Sequence, residues 1–193
     1  MNKSLDFSPT LIIIAGGSGI GKTSVQNLLT HDPNILKIVT TTTRSAREGE
    51  VNKKDYYFIN KEKFREGIEK NSFLEYVVYD GNYYGIHKKA IDSVLNERKR
   101  NGVVIVDVAG MRKVRKYCQE KGIKNISCWF KAENLEKLVE HMRKRNTSDN
   151  EIIRRLIIEE KESNFVAEFD YSLTIRENEL EPASKKIKSL IYS

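Results

Sequence analysis

Cysteine and histidine are scarce in this chain, and their scarcity excludes several classes of protein. Only two cysteines, Cys118 and Cys128, occur in 193 residues, and they form neither a C-x-x-C pair nor a metal-binding spacing. A disulfide-rich secreted scaffold is therefore excluded, and a reducing compartment is expected. The three histidines, His31, His87 and His141, are isolated in the sequence, so no zinc site is predicted.

Long apolar runs are missing as well. No segment approaches the roughly 20 apolar residues of a membrane-spanning helix. Residues Met1–Pro9 lack the apolar core of a secretory signal, and Met1–Ser8 is expected to be a loose N-terminal extension. The expected location is therefore cytoplasmic, and no membrane partner is expected.

Positive charge is in excess, but it is not concentrated in one block. The formal net charge is +7, with 39% hydrophobic residues and a mean hydropathy of −0.55, which predicts a soluble globular domain with a core. A basic balance suits an anionic ligand, either a nucleotide or a nucleic acid. Because the charge is spread through the sequence, a small anion is favoured and no nucleic-acid partner is expected. The oligomeric state, monomer or homodimer, stays open.

One stretch, Gly16–Thr23 (GGSGIGKT), organises the rest of the chain. It follows the apolar run Leu11–Ala15 and leads into a helical pattern, which fits the phosphate-binding loop G-x-x-x-x-G-K-[ST]. Backbone N–H groups of the turn and of the helix N-terminus would bind phosphate oxygens. Lys22 would reach the β- and γ-phosphates, and Thr23 would ligate Mg²⁺. The alternative is a glycine-rich turn that carries a lysine by chance. The predicted triphosphate-binding set is Gly16, Gly17, Ser18, Gly19, Ile20, Gly21, Lys22, Thr23 and Ser24.

Strand and helix patterns alternate along the chain, which predicts an α/β fold. The order β-α-β-(lobe)-α-β-α-β-α-α-β-α implies a parallel sheet covered by helices on both faces. The predicted elements include strands over Leu36–Thr40, Phe73–Tyr79, Val103–Asp107 and Tyr171–Ile175 and helices over Lys88–Arg100 and Met111–Lys121. A capping-box pattern at Ser148–Glu151 predicts the start of a further helix. One domain is expected, made of a core (10–40, 87–135 and 165–193), an inserted small mixed α/β lobe (41–86) and a helical lid (136–164).

Five further stretches carry a family resemblance when they are taken with the loop. They are Thr40–Glu50, Asp55–Phe58, Phe73–Tyr76, Gly81–Gly85 and Asp107–Gly110. In order and spacing, the chain resembles the guanylate kinase family over roughly residues 10–175. The resemblance implies a P-loop NTPase fold in which lobe 41–86 binds GMP. It also implies Mg²⁺-dependent transfer of the γ-phosphoryl group of ATP to GMP, which gives ADP and GDP.

The resemblance further implies roles for individual residues. Glu75 matches the carboxylate that reads guanine, and Thr40 lies where a hydroxyl residue approaches the base. Asp107 matches an acid near the acceptor and the phosphates, and it is a second candidate for Mg²⁺, acting through water. The family's ligands for the GMP phosphate are matched by Arg44, Arg47, Tyr56 and Tyr84. The implied GMP-binding set is Thr40, Arg44, Arg47, Tyr56, Glu75, Tyr84, Gly85 and Asp107. The implied catalytic set is Lys22, Arg44, Arg143, Arg145 and Arg155.

The chemistry of these side chains agrees with the implied substrate. Arg44 and Arg47, three residues apart on one loop, can hold a single phosphate with planar, bidentate donors. The Glu75 carboxylate can accept hydrogen bonds from both N1–H and N2–H of guanine, and adenine has no such pair of donors. A site built on that match should reject adenine by roughly 10⁴-fold. Taken singly, the two arginines also fit a solvated loop, and Glu75 also fits an exposed strand position.

Arginines flank a polar loop between two predicted helices, where the family carries its lid. Arg145 and Arg155 are the better matches to lid arginines that close over the triphosphate and exclude water. The chain departs from the family pattern at His141, where a lid arginine is typical, and its lid loop is one residue short. Arg143 is expected to supply the missing charge.

Two other departures keep alternatives open. Ile86 stands where the family usually has Ser or Thr, and Ala109 stands where glutamine is common. One alternative is a non-catalytic guanylate-kinase-like module that holds a phosphorylated peptide. Another is a related kinase that acts on a sugar phosphate, towards which Ile86 leans slightly. Nucleic-acid binding is the last alternative, and it rests on net charge alone.

Overall fold

The computed structural model describes residues 8–79, 81–144, 146–176 and 180–192, without the side chains of Lys137 and His141. The strands are β1 (Thr10–Gly16), β2 (Ile35–Lys37), β3 (Thr41–Thr42), β4 (Tyr57–Phe58), β5 (Phe73–Tyr79), β6 (Asn82–His87), β7 (Asn101–Ile105), β8 (Lys124–Ala132) and β9 (Tyr171–Ile175). The α-helices are α1 (Lys22–Leu29), α2 (Lys61–Glu69), α3 (Lys88–Asp92), α4 (Val108–Lys121), α5 (Leu135–Lys144), α6 (Asp149–Ser163) and α7 (Leu180–Tyr192).

Five parallel strands form the main sheet, in the order β2-β7-β1-β8-β9. The central strand β1 is buried on both faces, so its side chains divide between two cores. Ile12 and Ile14 pack with residues of α1 and α7, whereas Leu11 and Ile13 pack with residues of α4. A continuous apolar strand in the middle of a parallel sheet needs helices on each side, and the predicted architecture is confirmed.

A second, mixed sheet has the order β4-β3-β6-β5, in which β3 runs parallel to β4 and antiparallel to β6. Helix α2 covers this sheet through Phe64, which is fully buried and stacks on Phe73 with ring centroids 4.2 Å apart. A buried aromatic pair of this kind contributes more stabilising free energy than its buried area alone would give. The inserted mixed α/β lobe predicted from the sequence is therefore present.

The strand predicted over Leu36–Thr40 is wrong in its extent. Strand β2 ends at Lys37, and the backbone N–H of Ile38 makes one more bond to the carbonyl of Val103 (2.9 Å). The chain then leaves the main sheet, and β3 begins at Thr41 in the second sheet. The threonine-rich stretch is thus shared between two sheets, and Thr40 lies at the change of direction.

The strand predicted over Val103–Asp107 is also corrected. Strand β7 ends at Ile105, and Asp107 is the N-cap residue of α4, where its Oδ1 accepts a hydrogen bond from the backbone N–H of Gly110 (2.6 Å). Helix α4 accordingly begins at Val108 instead of Met111. An aspartate at this position satisfies one of the free N–H groups of the first helical turn.

The helix predicted over Lys88–Arg100 is shorter and changes its winding. Helix α3 passes into a π-helical turn at Ser93–Glu97, and the N–H of Arg98 donates to the carbonyl of Ser93 (3.0 Å). By contrast, the helix start predicted at Ser148 is confirmed, because its hydroxyl accepts from the N–H of Glu151 in the first turn of α6. Within the described part of the chain, none of the helices has both the length and the apolar character needed to cross a bilayer.

Candidate active site

A cleft of about 930 Å³ lies between the phosphate loop, the inserted lobe and α6. It opens beyond the carboxyl end of β1, which is where parallel α/β sheets bind ligands. Sixteen residues predicted from the sequence line it: Gly16, Gly17, Ser18, Gly19, Gly21, Lys22, Thr23, Ser24, Thr40, Arg47, Tyr56, Glu75, Tyr84, Gly85, Asp107 and Arg155. The fold therefore brings both predicted ligand sets to one cavity.

The phosphate loop is shaped by its glycines and anchored by one apolar residue. Gly21 has a φ of +95° and is the N-cap residue of α1, a conformation that a side chain would strain. Ile20 does not line the cleft, because its side chain is buried in the core beside α1. It can still contribute its backbone N–H, which is all that the phosphate-binding motif requires of that position.

The side chain of Lys22 is folded back onto the phosphate loop. Its Nζ donates to the carbonyl oxygens of Gly16 (2.6 Å) and Gly17 (2.5 Å). Burial lowers the pKa of Lys22 to about 8, while Glu159 and Glu162 act in the opposite direction. The ammonium therefore lies within the loop, bound to two carbonyl oxygens that phosphate oxygens can replace.

Glu159 is a site residue that the sequence reasoning missed. Its carboxyl group comes from α6 and lies so close to Gly17 that a Cβ at that glycine would collide with it. Burial raises the pKa of Glu159, and the charge of Lys22 opposes this rise. A carboxylate thus lies at the mouth of the phosphate loop. The spacing of Glu151, Arg155 and Glu159, four residues apart on one helix, was the signal that could have found it.

Arg44, predicted to bind phosphate, is turned towards a carboxylate and does not line the cleft. Its two terminal nitrogens donate to the two oxygens of Glu50, each at 2.9 Å, and Glu50 also accepts from the backbone N–H of Arg47 (2.7 Å). The guanidinium lies 5.4 Å from the ring centroid of Tyr56. Such a bidentate pair fixes the plane of the guanidinium and orders the loop that carries Arg47 into the cleft.

Glu75 lies on β5 at the inner wall of the inserted lobe and is 8% exposed. Burial raises its pKa to about 7, the nearby Asp107 adds to the rise, and Lys113 opposes it. The buried Ile86 is its register partner on β6 and belongs to the core, so the departure from Ser or Thr at this position removes a hydroxyl and adds apolar packing.

The predicted lid arginines have different surroundings. Arg155 lines the cleft, and its Nη1 donates to the hydroxyl of Ser18 in the phosphate loop (3.0 Å). Arg143 does not line the cleft. It is mostly exposed and pairs with Asp149 at 3.2 Å. Arg145 lies outside the described residues.

The arrangement combines two anion-binding regions in one cavity. The loop with Lys22 offers backbone donors and a cation to a polyphosphate, and the inserted lobe offers Arg47 and two tyrosines beside the Glu75 carboxylate. A cavity of this kind can hold a nucleoside triphosphate next to a smaller phosphorylated ligand. In-line transfer between two phosphates needs little beyond such positioning and positive charge.

Comparisons with known proteins agree on one family. The family model described as guanylate kinase matches residues 8–193. The guanylate kinase of Clostridium tetani is 34% identical over 182 residues, which cover 94% of this chain and 84% of that protein. That of Wolinella succinogenes is 36% identical over 169 residues, covering 86% and 77%. The crystal structure of guanylate kinase from Anaplasma phagocytophilum superposes with a TM-score of 0.74 at 22% identity, over 96% of this chain and 86% of that one, and supports the fold.

Proposed function

The chain belongs to the guanylate kinase family, and we propose on that premise that it transfers the γ-phosphoryl group of Mg²⁺-ATP to GMP, giving ADP and GDP. The observation that carries the proposal is the shared cleft, in which the phosphate loop faces a second pocket that contains Glu75 and Arg47. A phosphate loop alone would fit any P-loop NTPase, whereas the second pocket has the donors and the acceptor that a guanine monophosphate requires.

On the donor side, the backbone N–H groups of the loop and the ammonium of Lys22 bind the β- and γ-phosphates. The residues fit a magnesium ion, because Mg²⁺ keeps most of its ligands as water and phosphate and takes one or two from the protein. Thr23 would hold it through its hydroxyl at the start of α1. Asp107 is the less suitable ligand, since its carboxylate already caps α4. The bound ion would neutralise charge on the phosphates during transfer.

On the acceptor side, Glu75 accepts N1–H and N2–H of guanine in its carboxylate form. Arg47, Tyr56 and Tyr84 donate to the GMP phosphate and place one of its oxygens in line with the γ-phosphorus. Arg44 acts on this phosphate only if it loosens its bidentate pair with Glu50; otherwise it orders the loop behind Arg47. Thr40 and Gly85 complete the wall around the base.

The lid contributes charge and excludes water. Arg155 lies beside Ser18 of the phosphate loop, where its guanidinium can stabilise the charge that spreads over the equatorial oxygens during transfer. No covalent intermediate with the protein is required. The non-catalytic module and the sugar phosphate kinase are not favoured, because the donor loop is complete and Glu75 and Arg47 lie in the second pocket.

The direct test is an acceptor panel in a coupled assay of ADP formation. Purified protein with Mg²⁺-ATP should consume GMP, and AMP, CMP and UMP should give at most about 10⁻⁴ of that rate. Lys22→Ala is the matched inactive control, and we expect its kcat to be at least about 100-fold lower. ADP formation that does not depend on GMP, or equal rates with AMP, would refute the proposal.

A further inference from the structure

Tyr79 connects the inserted lobe to the lid helix. It is the last residue of β5, and its hydroxyl donates to Oε1 of Glu151 on α6 (2.6 Å). The same hydroxyl accepts from Nε of Arg155 (3.1 Å), and that Nε also donates to Glu151 (2.8 Å). Two parts of the molecule that are 72 or more residues apart in sequence are thus joined through one phenol.

Arg155 extends this connection to a third part of the molecule. Its Nε faces Tyr79 and Glu151, and its Nη1 donates to the hydroxyl of Ser18 (3.0 Å). Because the guanidinium is planar, partners on two of its nitrogens fix both its position and the direction of its remaining N–H groups. The phosphate loop, the lid helix and the inserted lobe therefore share one oriented cation.

The surroundings of Tyr79 keep its hydroxyl in the neutral form while it binds this cation. Burial raises the pKa of Tyr79, and the hydrogen bond to Glu151 raises it further. The hydroxyl therefore remains neutral near pH 7, donating to the carboxylate and accepting from the guanidinium. A phenylalanine at this position would keep the ring, which lies 6.0 Å from the guanidinium carbon of Arg155, and would lose both hydrogen bonds.

We infer that Tyr79 is a positioning residue for phosphoryl transfer, which holds Arg155 against the phosphate loop and couples the inserted lobe to the lid. The inference rests on the function proposed above. Tyr79 lies four residues after Glu75 on β5, so a shift of that strand on acceptor binding would be passed to Arg155 through the phenol. The role involves no proton or group transfer.

The test compares Tyr79→Phe with Tyr76→Phe. Tyr76 lies on the same strand, is 41% exposed and is not part of this network, so its variant should match the wild type. Tyr79→Phe should lower kcat about ten-fold and change the KM values for GMP and ATP less than about two-fold, because the orientation of a transition-state cation is lost and substrate binding is kept. The midpoint of thermal unfolding should shift little, which separates positioning from a loss of stability.

A double-mutant cycle with Arg155→Gln tests whether Tyr79 acts through Arg155. If Tyr79 acts through Arg155, adding Tyr79→Phe to Arg155→Gln should change kcat less than about two-fold. A further ten-fold loss in the double variant would overturn the inference, as would a Tyr79→Phe enzyme with wild-type kcat. A raised KM for GMP at unchanged kcat would also overturn it, by making Tyr79 a local acceptor contact. A wild type without GMP-dependent ADP formation would instead refute the proposed function, and the inference with it.

Discussion

Replacement of Glu159 by glutamine should tighten the binding of ATP. The Glu159 carboxyl group lies against Gly17 at the mouth of the phosphate loop and interacts with the charge of Lys22. The triphosphate must enter the same region, so the carboxylate has to move away or take a proton when ATP binds. Glu159→Gln removes the negative charge and keeps the size of the side chain.

The size of the effect follows from the charges involved. Two unit charges about 5 Å apart interact by roughly 3 kcal/mol at an effective dielectric constant of about 20. Rotation of Glu159 towards solvent relieves part of this repulsion, and the variant also gives up an attraction to Lys22. A net gain of about 1 to 2 kcal/mol remains, which corresponds to a dissociation constant for ATP that is about five- to thirty-fold lower. Because the pKa of Glu159 is raised, the difference between wild type and variant should shrink as the pH falls.

Isothermal titration of Mg²⁺-ATP into wild type, Glu159→Gln and Glu160→Gln measures this directly. Glu160 follows Glu159 on α6 and is exposed, so its variant controls for the loss of one charge from the helix. Unchanged ATP binding in Glu159→Gln, or equal gains in both variants, would refute the competition described here. Weaker binding in Glu159→Gln would show that the carboxylate assists the nucleotide, as a ligand to metal-bound water would.

Two further predictions concern the acceptor pocket and the core. Glu75→Gln should raise the KM for GMP by roughly 100-fold and leave the KM for ATP unchanged. In the wild type, kcat/KM for GMP should fall as the pH drops below about 7, because the raised pKa of Glu75 lets its carboxylate protonate there. The same pH profile in wild type and variant would contradict this assignment. Ile13→Ala, at the centre of β1, should lower the free energy of unfolding by about 2 to 5 kcal/mol in urea titrations, whereas a loss below 1 kcal/mol would mean that the core collapses around the change.

Strands β1, β5 and β9 were predictable because their signals are local. A run of apolar residues before a glycine-rich turn predicts the buried strand β1. Strands β5 and β9 have the predicted bounds, Phe73–Tyr79 and Tyr171–Ile175. Each of these segments has a β-branched or aromatic pattern bounded by polar residues or turns, and its neighbours in the sheet do not alter its length.

The stretch from Leu36 to Thr40 shows where local signals end. Leu36 pairs with Gly102 in the main sheet, whereas Thr41 pairs with Gly85 in the second sheet. Residues on both sides of the change favour strands equally, so only the tertiary partners decide where one strand ends and the other begins. Asp107 illustrates a different limit, since Gly110 in the first turn of α4 weakened the helical pattern that the aspartate caps.

The cleft shows the same division. Sixteen of its lining residues follow from motifs, because the phosphate loop and the acceptor stretches fix residue types at fixed spacings. The partners of those residues did not follow from motifs. Tyr79 meets Arg155 only because the end of β5 and the middle of α6 face each other across the cavity, and no short sequence pattern encodes that approach.

Carboxylates lie beside three of the predicted phosphate-binding cations. They differ in how firmly each is bound, and so in the cost of displacing each one. Glu50 holds Arg44 with two hydrogen bonds and is itself fixed by a backbone N–H, so it is costly to displace. Glu151 holds Arg155 with one bond of 2.8 Å and shares it with a tyrosine. Glu159 interacts with Lys22 through the Coulomb interaction alone. Of these three carboxylates, Glu159 is therefore the one that an entering phosphate displaces at the lowest cost, although Lys22 must also leave the carbonyl oxygens of Gly16 and Gly17.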